Sequence, residues 1–159
     1  FERVGIHLNL ADTEISVSAD QPRRIELDPS GGLPVIDDGP WPKFPSDLMS
    51  VMLVLATQSR GTVLFFEKMF ESRMYFVDPL IQMGANIIVC DPHRVVVSGH
   101  TPLRALSLRS PDIRAGMALL AAAACADGES TVQNAHIIDR GYENVEGKLR
   151  ALGLQVERE

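Results

Sequence analysis

Four charged residues stand at or near the starts of predicted helices and could together bind an anion. Asp47 and Arg114 lie in the first turns of two helices, and Arg73 and Arg140 each lie in a loop just before another. A guanidinium holds a carboxylate or phosphate through two parallel hydrogen bonds, and the free N–H groups of a helix start favour the same charge. These residue types are consistent with an anion-binding site.

Each of the four also has a simpler interpretation when it is taken alone. Arg73 and Arg140 would be surface or salt-bridge arginines, Asp47 an acid that favours a helix start, and Arg114 a solvated helix residue. The formal net charge of −6 and the pI near 5.2 argue against nucleic acid or an anionic membrane as a partner. A few placed arginines would therefore have to meet any anionic ligand.

The first of two similar stretches positions Asp47 and Arg73. Pro45-Ser46-Asp47 opens an apolar helix that ends at Arg60-Gly61, and residues 62–66 form a predicted strand. A loop with Arg73 follows, then a short amphipathic helix that ends at Gly84 and a strand over residues 86–90.

The second stretch positions Arg114 and Arg140 in the same order. Ser110-Pro111-Asp112 offers an N-cap, a proline at the first helical position and an acid in the first turn, so a helix is predicted to start there. It ends near Gly128, and a strand over residues 131–133, a loop with Arg140, a helix up to Gly153 and a strand over residues 154–156 follow.

Residues of different chemical type recur at nearly the same separation in the two stretches. The separation is 65 residues for Asp47 and Asp112, 67 for Gly61 and Gly128, 67 for Arg73 and Arg140, and 69 for Gly84 and Gly153. We interpret them as two copies of a repeated unit, residues 44–109 and 110–159. Equivalent loops of a repeated fold lie on the same side, which would bring Arg73 and Arg140 to one face.

The first 43 residues are predicted to be the end of an earlier copy followed by a connection. Residues 1–6 resemble residues 149–154, and only four residues of the preceding helix remain, too few for a stable helix. The segment 18–44 is rich in Pro and Gly and favours an extended connection, with disorder as the alternative. The expectation is therefore a single α/β domain, residues 1–159, that is truncated at its N-terminus.

Composition predicts one globular, cytoplasmic domain without a bound metal or cofactor. The 159 residues are 45% hydrophobic and 23% charged, and no apolar run reaches membrane-spanning length. Cys90 and Cys125 lie among apolar or small neighbours and are expected to be buried free thiols. The four histidines show no metal-ligand spacing.

Five motifs carry a resemblance to a known family. They are Phe44-Pro45-Ser46-Asp47, Phe70-Glu71-Ser72-Arg73, Asp112-Ile113-Arg114-Ala115, Asp139-Arg140-Gly141-Tyr142-Glu143 and Lys148-Leu149-Arg150-Ala151-Leu152-Gly153. In this order they resemble the C-terminal half of the UDP-N-acetylglucosamine 1-carboxyvinyltransferases, members of the enolpyruvyl transferases. The resemblance implies an inside-out α/β barrel, in which repeated βαβαββ units pack their helices inside their sheets.

The resemblance also implies an activity and roles for the site residues. The family transfers an enolpyruvyl group from phosphoenolpyruvate to the 3'-hydroxyl of UDP-N-acetylglucosamine, the first committed step of peptidoglycan synthesis. Asp47 would be the general base beside that hydroxyl, and Met69 would contact the UDP-sugar. Arg114 and Arg140 would face the donor's phosphate and carboxylate. Arg73 would join a cluster of arginines that responds to the closure of a second domain of the same protein.

Departures from the family pattern keep two alternatives open. Ser72 replaces the usual Asn, Ile137 the usual His and Ser46 the usual Thr, and the loop cysteine and Lys-Asn pair belong to the other domain. The fragment alone is therefore expected to lack half of the active site and to be inactive. The alternatives are a non-catalytic nucleotide-sugar-binding protein and a 3-phosphoshikimate 1-carboxyvinyltransferase, whose Asn-Asp-His-Arg helix start is missing here.

Overall fold

The computed structural model, which describes residues 1–158, is built from short strands around two packed helices. The strands are β1 (Asn9–Leu10), β2 (Ile15–Ser16), β3 (Val35–Asp37), β4 (Gly61–Phe66), β5 (Ile87–Asp91), β6 (Arg94–Gly99), β7 (Ser107–Arg109) and β8 (Thr131–Gln133). The α-helices are α1 (Met49–Thr57), α2 (Val77–Gln82), α3 (Ile113–Cys125) and α4 (Val145–Ala151). Short 3-10 helices cover Glu2–Val4, Ser46–Leu48, Arg73–Phe76 and Ala135–Arg140.

A mixed four-stranded sheet has the order β3-β4-β6-β5. Strand β3 runs parallel to β4, with Ile36 opposite Phe65, and β6 pairs antiparallel with both β4 and β5. Strands β7 and β8 form a separate parallel pair, and β1 and β2 form a hairpin. The parallel pairing of β3 with β4 brings Asp38, just after β3, close to the end of β4.

Helix α1 lies at the centre of the core. Its residues are apolar on nearly every side, which is typical of a fully buried helix. It packs against α3 and against the inner faces of β4 and β6, where Leu53, Val63, Val97 and Leu119 are fully buried. The starts of α1 and α3, which carry Asp47 and Arg114, are positioned by this packing.

Helix α3 begins two residues later than the sequence pattern predicts. Asp112, and not Ser110, is the N-cap, since its carboxylate accepts from the backbone N–H groups of Arg114 at 2.7 Å and Ala115 at 2.9 Å. Ser110 is buried, and its hydroxyl donates to the carbonyl oxygen of Asp112 at 3.1 Å. A carboxylate that reaches two free N–H groups caps a helix well, which explains the shift.

Two further expectations are wrong. Residues 154–156 do not form a strand, because they turn back along α4: the Leu154 N–H donates to Leu149, and the Arg150 side chain donates to the Val156 carbonyl at 2.7 Å. Cys90 and Cys125 are exposed, because one lies on the edge strand β5 and the other at the end of α3.

Other features follow the sequence pattern. The order helix, strand, 3-10 helix and short α-helix occurs twice, from α1 to α2 and from α3 to α4. The Pro- and Gly-rich segment is extended and is anchored through the buried Ile25 and Ile36. Within residues 1–158, no helix is both long and apolar enough to span a membrane.

Candidate functional site

Asp47 forms the centre of the candidate site. It is the middle residue of the 3-10 helix Ser46–Leu48, which leads directly into α1, and its side chain is 64% exposed. Its Oδ1 accepts a hydrogen bond from Nε of Arg114 and lies 3.9 Å from Nη1 of Arg73. Both contacts use the same oxygen, so Oδ2 has no partner among the described residues.

Arg114 reaches Asp47 from the first turn of α3. The Arg114 carbonyl oxygen accepts from the hydroxyl of Ser50 at 3.1 Å, so its backbone is tied to α1 as well. The hydrogen bond to Asp47 raises the pKa of Arg114, and the Asp47 charge acts in the same direction. Only Nε is engaged in that hydrogen bond, which leaves the Nη groups to meet a further anion.

Arg73 reaches Asp47 from the 3-10 helix Arg73–Phe76. Its guanidinium stacks on the ring of Phe70, 4.1 Å from the ring centre. Ser72, just before it, has a φ of 62°, in the left-handed region that Gly and Asn occupy more easily. Ser72 is the position where the family resemblance leads one to expect Asn.

A small cavity lies under these residues. It has a volume of about 20 Å³, and Ser46, Ser50, Glu67, Arg73 and Arg114 contribute to its wall. Such a volume holds about one water molecule. The surface around Asp47 is therefore the part of the described chain on which a larger anion could lie.

Two buried carboxyl groups beside this cavity were missed by the sequence analysis. Asp38 is 0% exposed and Glu67 is 1% exposed. Glu67 accepts hydrogen bonds from the Ser46 hydroxyl at 3.1 and 3.2 Å and from the N–H groups of Met69 and Phe70 at 3.2 Å each. Both residues lie at the end of an apolar, strand-like run of the sequence. An acidic residue at the end of such a run is the sequence signal by which they could have been predicted.

The two carboxyl groups are linked to each other. Burial, followed by the hydrogen bond to Asp38 and the Asp38 charge, raises the pKa of Glu67 to about 7. Burial alone would raise the pKa of Asp38, but hydrogen bonds from Glu67 and from the N–H of Lys68 lower it. The pair therefore holds one proton, mainly on Glu67, below about pH 7 and loses it as the pH rises through that value.

Met69 lies in the turn that Glu67 holds. Its side chain is 45% exposed, so it is accessible to a ligand. Its position relative to Asp47 is fixed indirectly, because Glu67 binds both the Met69 N–H and Ser46.

The structure does not bring Arg140 into the ion-pair group of Asp47, Arg73 and Arg114. Arg140 is the last residue of the 3-10 helix Ala135–Arg140, where a loop was expected, and it is exposed, without an ion pair or side-chain hydrogen bond within residues 1–158. The N–H groups of Gly141 and Tyr142 both donate to the Ile138 carbonyl and are not available to an anion, contrary to the expectation.

The segment with Arg140 nevertheless lies beside the start of α3. A Cβ placed on Gly141 would come within 2.7 Å of Ile113, the residue before Arg114. A side chain there would push the segment away, so glycine permits the close approach. Arg140 thus stands near the site and free to bind, although not in contact with Asp47.

Comparison with known proteins identifies the fold. The profile of the EPSP synthase (3-phosphoshikimate 1-carboxyvinyltransferase) family matches residues 2–149, nearly the whole chain. The chain belongs to this family. A crystal structure of the enolpyruvyl transferase NikO from Streptomyces tendae superimposes with a TM-score of 0.82 at 26% identity, over 98% of this chain and 34% of that one.

The fold class predicted from the sequence is confirmed by these matches. EPSP synthase from Acinetobacter baumannii has a TM-score of 0.68 at 16% identity, over 99% of this chain and 36% of that one, and supports the fold alone. The shared architecture is the α/β fold of the enolpyruvyl transferases.

Sequence relatives carry a more specific name. UDP-N-acetylglucosamine 1-carboxyvinyltransferases from Borrelia garinii subsp. bavariensis and Bradyrhizobium diazoefficiens are 54% and 52% identical over 158 residues. The enzyme from Treponema pallidum is 52% identical over 159 residues. The matches cover 99–100% of this chain but 37% of each relative, so the chain spans little more than a third of their length.

Proposed function

We propose that this chain is part of an enzyme that transfers the enolpyruvyl group of phosphoenolpyruvate to the 3'-hydroxyl of UDP-N-acetylglucosamine and releases phosphate. The observation that carries the proposal is Asp47, whose Oδ1 is held by Arg114 and Arg73 while Oδ2 stays open. Relatives 52–54% identical to the chain carry the name of this activity, which supports it over 3-phosphoshikimate as acceptor.

Asp47 is the proposed general base. An oriented carboxylate with one free oxygen is the group that can take the proton of a sugar hydroxyl as its oxygen attacks the enolpyruvyl carbon. The arginines on Oδ1 fix the direction of Oδ2 without occupying it. Met69, exposed in the neighbouring turn, is proposed to contact the UDP-sugar.

The arginines are proposed to hold the donor, which carries a phosphate and a carboxylate. The Nη groups of Arg114 and the guanidinium of Arg140, which has no ion pair within residues 1–158, are proposed to bind these two groups. Charge that develops at the donor in the transition state is stabilised by cations already in place. Arg73, stacked on Phe70, is proposed to belong to a cluster of arginines that responds when a second domain closes over the site.

The second domain of the same protein is proposed to complete the site. The reaction is proposed to take place in the cytoplasm, as a step of peptidoglycan synthesis. The site on this chain is an exposed surface, and reactants of this kind are usually enclosed before chemistry occurs. We expect the 159-residue chain by itself to give no product.

Product analysis tests the proposal. The full-length protein is incubated with phosphoenolpyruvate and either UDP-N-acetylglucosamine or 3-phosphoshikimate, and the products are identified by mass spectrometry. We expect a carboxyvinyl ether of UDP-N-acetylglucosamine only. A product with 3-phosphoshikimate would change the acceptor, and no product with either would indicate a protein that binds without chemistry.

A further inference from the structure

Two carboxyl groups are buried beneath the candidate site, and one of their four oxygen atoms has no donor within residues 1–158. Oδ1 of Asp38 accepts from the Lys68 N–H at 2.5 Å, whereas Oδ2 meets no N–H or hydroxyl donor within residues 1–158. A buried, unpartnered carboxylate oxygen is costly, and two adjacent ionised carboxylates are more so. A proton on Glu67 would remove both penalties, because a neutral carboxylic acid has an O–H group that could donate to Asp38.

Glu67 also touches both chain segments that carry the site. Its oxygens accept from Ser46, which precedes Asp47 in the short helix before α1. They also accept from the N–H groups of Met69 and Phe70, and the Phe70 ring supports the guanidinium of Arg73. One side chain therefore connects the helix start that presents the proposed base to the turn that presents Met69 and Arg73.

We propose that Glu67, through its contacts with the Ser46 hydroxyl and the Met69 and Phe70 N–H groups, is a positioning residue that fixes Asp47 relative to Met69 and Arg73. This inference rests on the proposed function, since it assigns Glu67 a role in that site. Glu67 is not a catalytic residue, because a buried side chain that contacts Ser46 and backbone N–H groups acts on the substrate only through them.

The charged groups around Glu67 do not neutralise it. The side-chain ammonium groups of Lys68 and Lys43 pair with the carboxylate of Asp37, at 2.5 and 3.2 Å, and not with Glu67 or Asp38. The His93 ring contacts the backbone oxygen of Glu67 at 3.0 Å, and not its carboxyl group. Arg73 and Arg114 line the same cavity, but both arginines pair with Asp47.

Ionisation of Glu67 should therefore loosen the site. With the pKa of Glu67 near 7, weakly alkaline conditions place a second negative charge beside Asp38. The Glu67–Asp38 hydrogen bond is then replaced by repulsion. The position of Ser46, and with it Asp47, is the part of the site most directly affected.

Three variants separate this role from simple packing. Glu67→Gln keeps an N–H donor for Asp38 and an oxygen for Ser46 and Met69, but it cannot ionise. Glu67→Ala removes both. Glu14→Gln is the matched control, since Glu14 is exposed in the turn between β1 and β2.

The first readout does not depend on activity. In the full-length protein, the amide signals of Met69 and Phe70 are followed by nuclear magnetic resonance from pH 5.5 to 8.5. We expect both signals to titrate with a midpoint of about 7 in the wild type and the Glu14→Gln control, and to be flat in Glu67→Gln. Signals that stay flat in the wild type would overturn the proposal.

The second readout is the pH profile of kcat/KM. Glu67→Ala is expected to lose roughly 10- to 100-fold, the size of effect that a misplaced catalytic group produces. Glu67→Gln should regain at least tenfold of that loss and lack the fall in kcat/KM above pH 7. A profile in Glu67→Gln that matches the wild type would overturn the positioning role.

The two readouts also separate this inference from the proposed function. An active wild type with an unchanged Glu67→Gln profile contradicts the inference and leaves the proposed function standing. An inactive wild type whose Met69 and Phe70 signals titrate near pH 7 contradicts the proposed function, and supports the link that Glu67 makes between the two segments.

Discussion

Oδ1 of Asp47 and Nε of Arg114 are hydrogen-bonded although the two residues are 67 positions apart in the sequence. The contact joins the start of α1 to the start of α3, and those helices pack against each other in the core. Among the described residues, Oδ2 of Asp47 has no partner, and the Nη groups of Arg114 take no part in this hydrogen bond. The same pair therefore orients a carboxylate and a guanidinium toward whatever binds at this surface.

The Asp47–Arg114 pair should contribute little to folding. Both side chains are partly exposed, at 64% and 39%, and exposed ion pairs are typically worth about 0–1 kcal/mol. Arg114→Ala should therefore lower the free energy of unfolding by less than Asp112→Ala, which removes the N-cap of α3 at a cost of about 1 kcal/mol. Urea unfolding followed by circular dichroism compares them, and the reverse order would make the pair a structural one.

Arg140 should matter for the donor and not for the sugar nucleotide. Arg140→Lys keeps the charge but loses the planar guanidinium that can make two parallel hydrogen bonds to one anion. The affinity for phosphoenolpyruvate should therefore fall. Arg140→Ala should be worse, while UDP-N-acetylglucosamine binds as before. Separate calorimetric titrations of each ligand test this.

The exposed Arg104→Ala is the control for Arg140. It should leave both affinities unchanged, since Arg104 pairs with Asp127, just beyond the end of α3 that lies opposite to Arg114. If both Arg140 variants bind phosphoenolpyruvate as tightly as the wild type, Arg140 is a surface residue without a part in donor binding.

Stability should fall as the pH rises through the range between the two pKa values of Glu67. Its pKa is raised from 4.5 to about 7 on folding, so between these values the folded state holds a proton that the unfolded state has lost. The slope is at most about 1.4 kcal/mol per pH unit. Asp38 has the opposite sign and acts below pH 4, outside this window.

Unfolding in urea at several pH values between 4.5 and 7.5 measures this slope. Glu67→Gln should remove it, and Glu14→Gln should keep it. A wild type whose free energy of unfolding is constant over this range would show that Glu67 does not hold its proton when the chain folds.

Ser72 should be a site of stored backbone strain. A left-handed φ of 62° costs a residue with a Cβ about 1–2 kcal/mol, and Asn occupies that region more easily than Ser. Ser72→Asn should raise the free energy of unfolding by a few tenths to about 1 kcal/mol. Ser72→Ala should give no gain, and equal stabilities for Asn and Ala at this position would contradict the strain.

The sequence predicted those parts of the fold that local patterns specify. Helices α1 and α3, strand β8 and the two glycine-limited helices α2 and α4 follow from apolar spacing and helix-stop residues. Asp47, Arg73, Arg114 and Arg140 were expected to form one anion-binding site because of their residue types at predicted helix starts and the family resemblance, whereas the repeat itself placed only Arg73 with Arg140. The contact of Arg73 and Arg114 with one carboxylate oxygen of Asp47 depends on tertiary packing. The spacing of residues along the sequence does not predict such a contact.

The missed features depend on contacts that sequence patterns do not report, some of them long-range and some local. Glu67 lies between Phe66 and Lys68 and looks like the exposed end of a strand, but the parallel pairing of β3 with β4 buries it against Asp38. Residues 154–156 have a strand-like composition, but no strand within residues 1–158 pairs with them. Arg140 was placed at a helix start by its spacing, but local 3-10 hydrogen bonds occupy the N–H groups around it.

The role of Asp47 is tested most directly by the turnover and the ligand affinity of Asp47→Asn in the full-length protein. An amide cannot accept the hydroxyl proton, so kcat, measured as phosphate released from phosphoenolpyruvate in the presence of UDP-N-acetylglucosamine, should fall by about 100- to 10,000-fold. The affinity for UDP-N-acetylglucosamine should change little, and the exposed Asp12→Asn should match the wild type in both measurements. A kcat within a few-fold of the wild type in Asp47→Asn would contradict the account and leave Asp47 as an acid that only favours the start of α1.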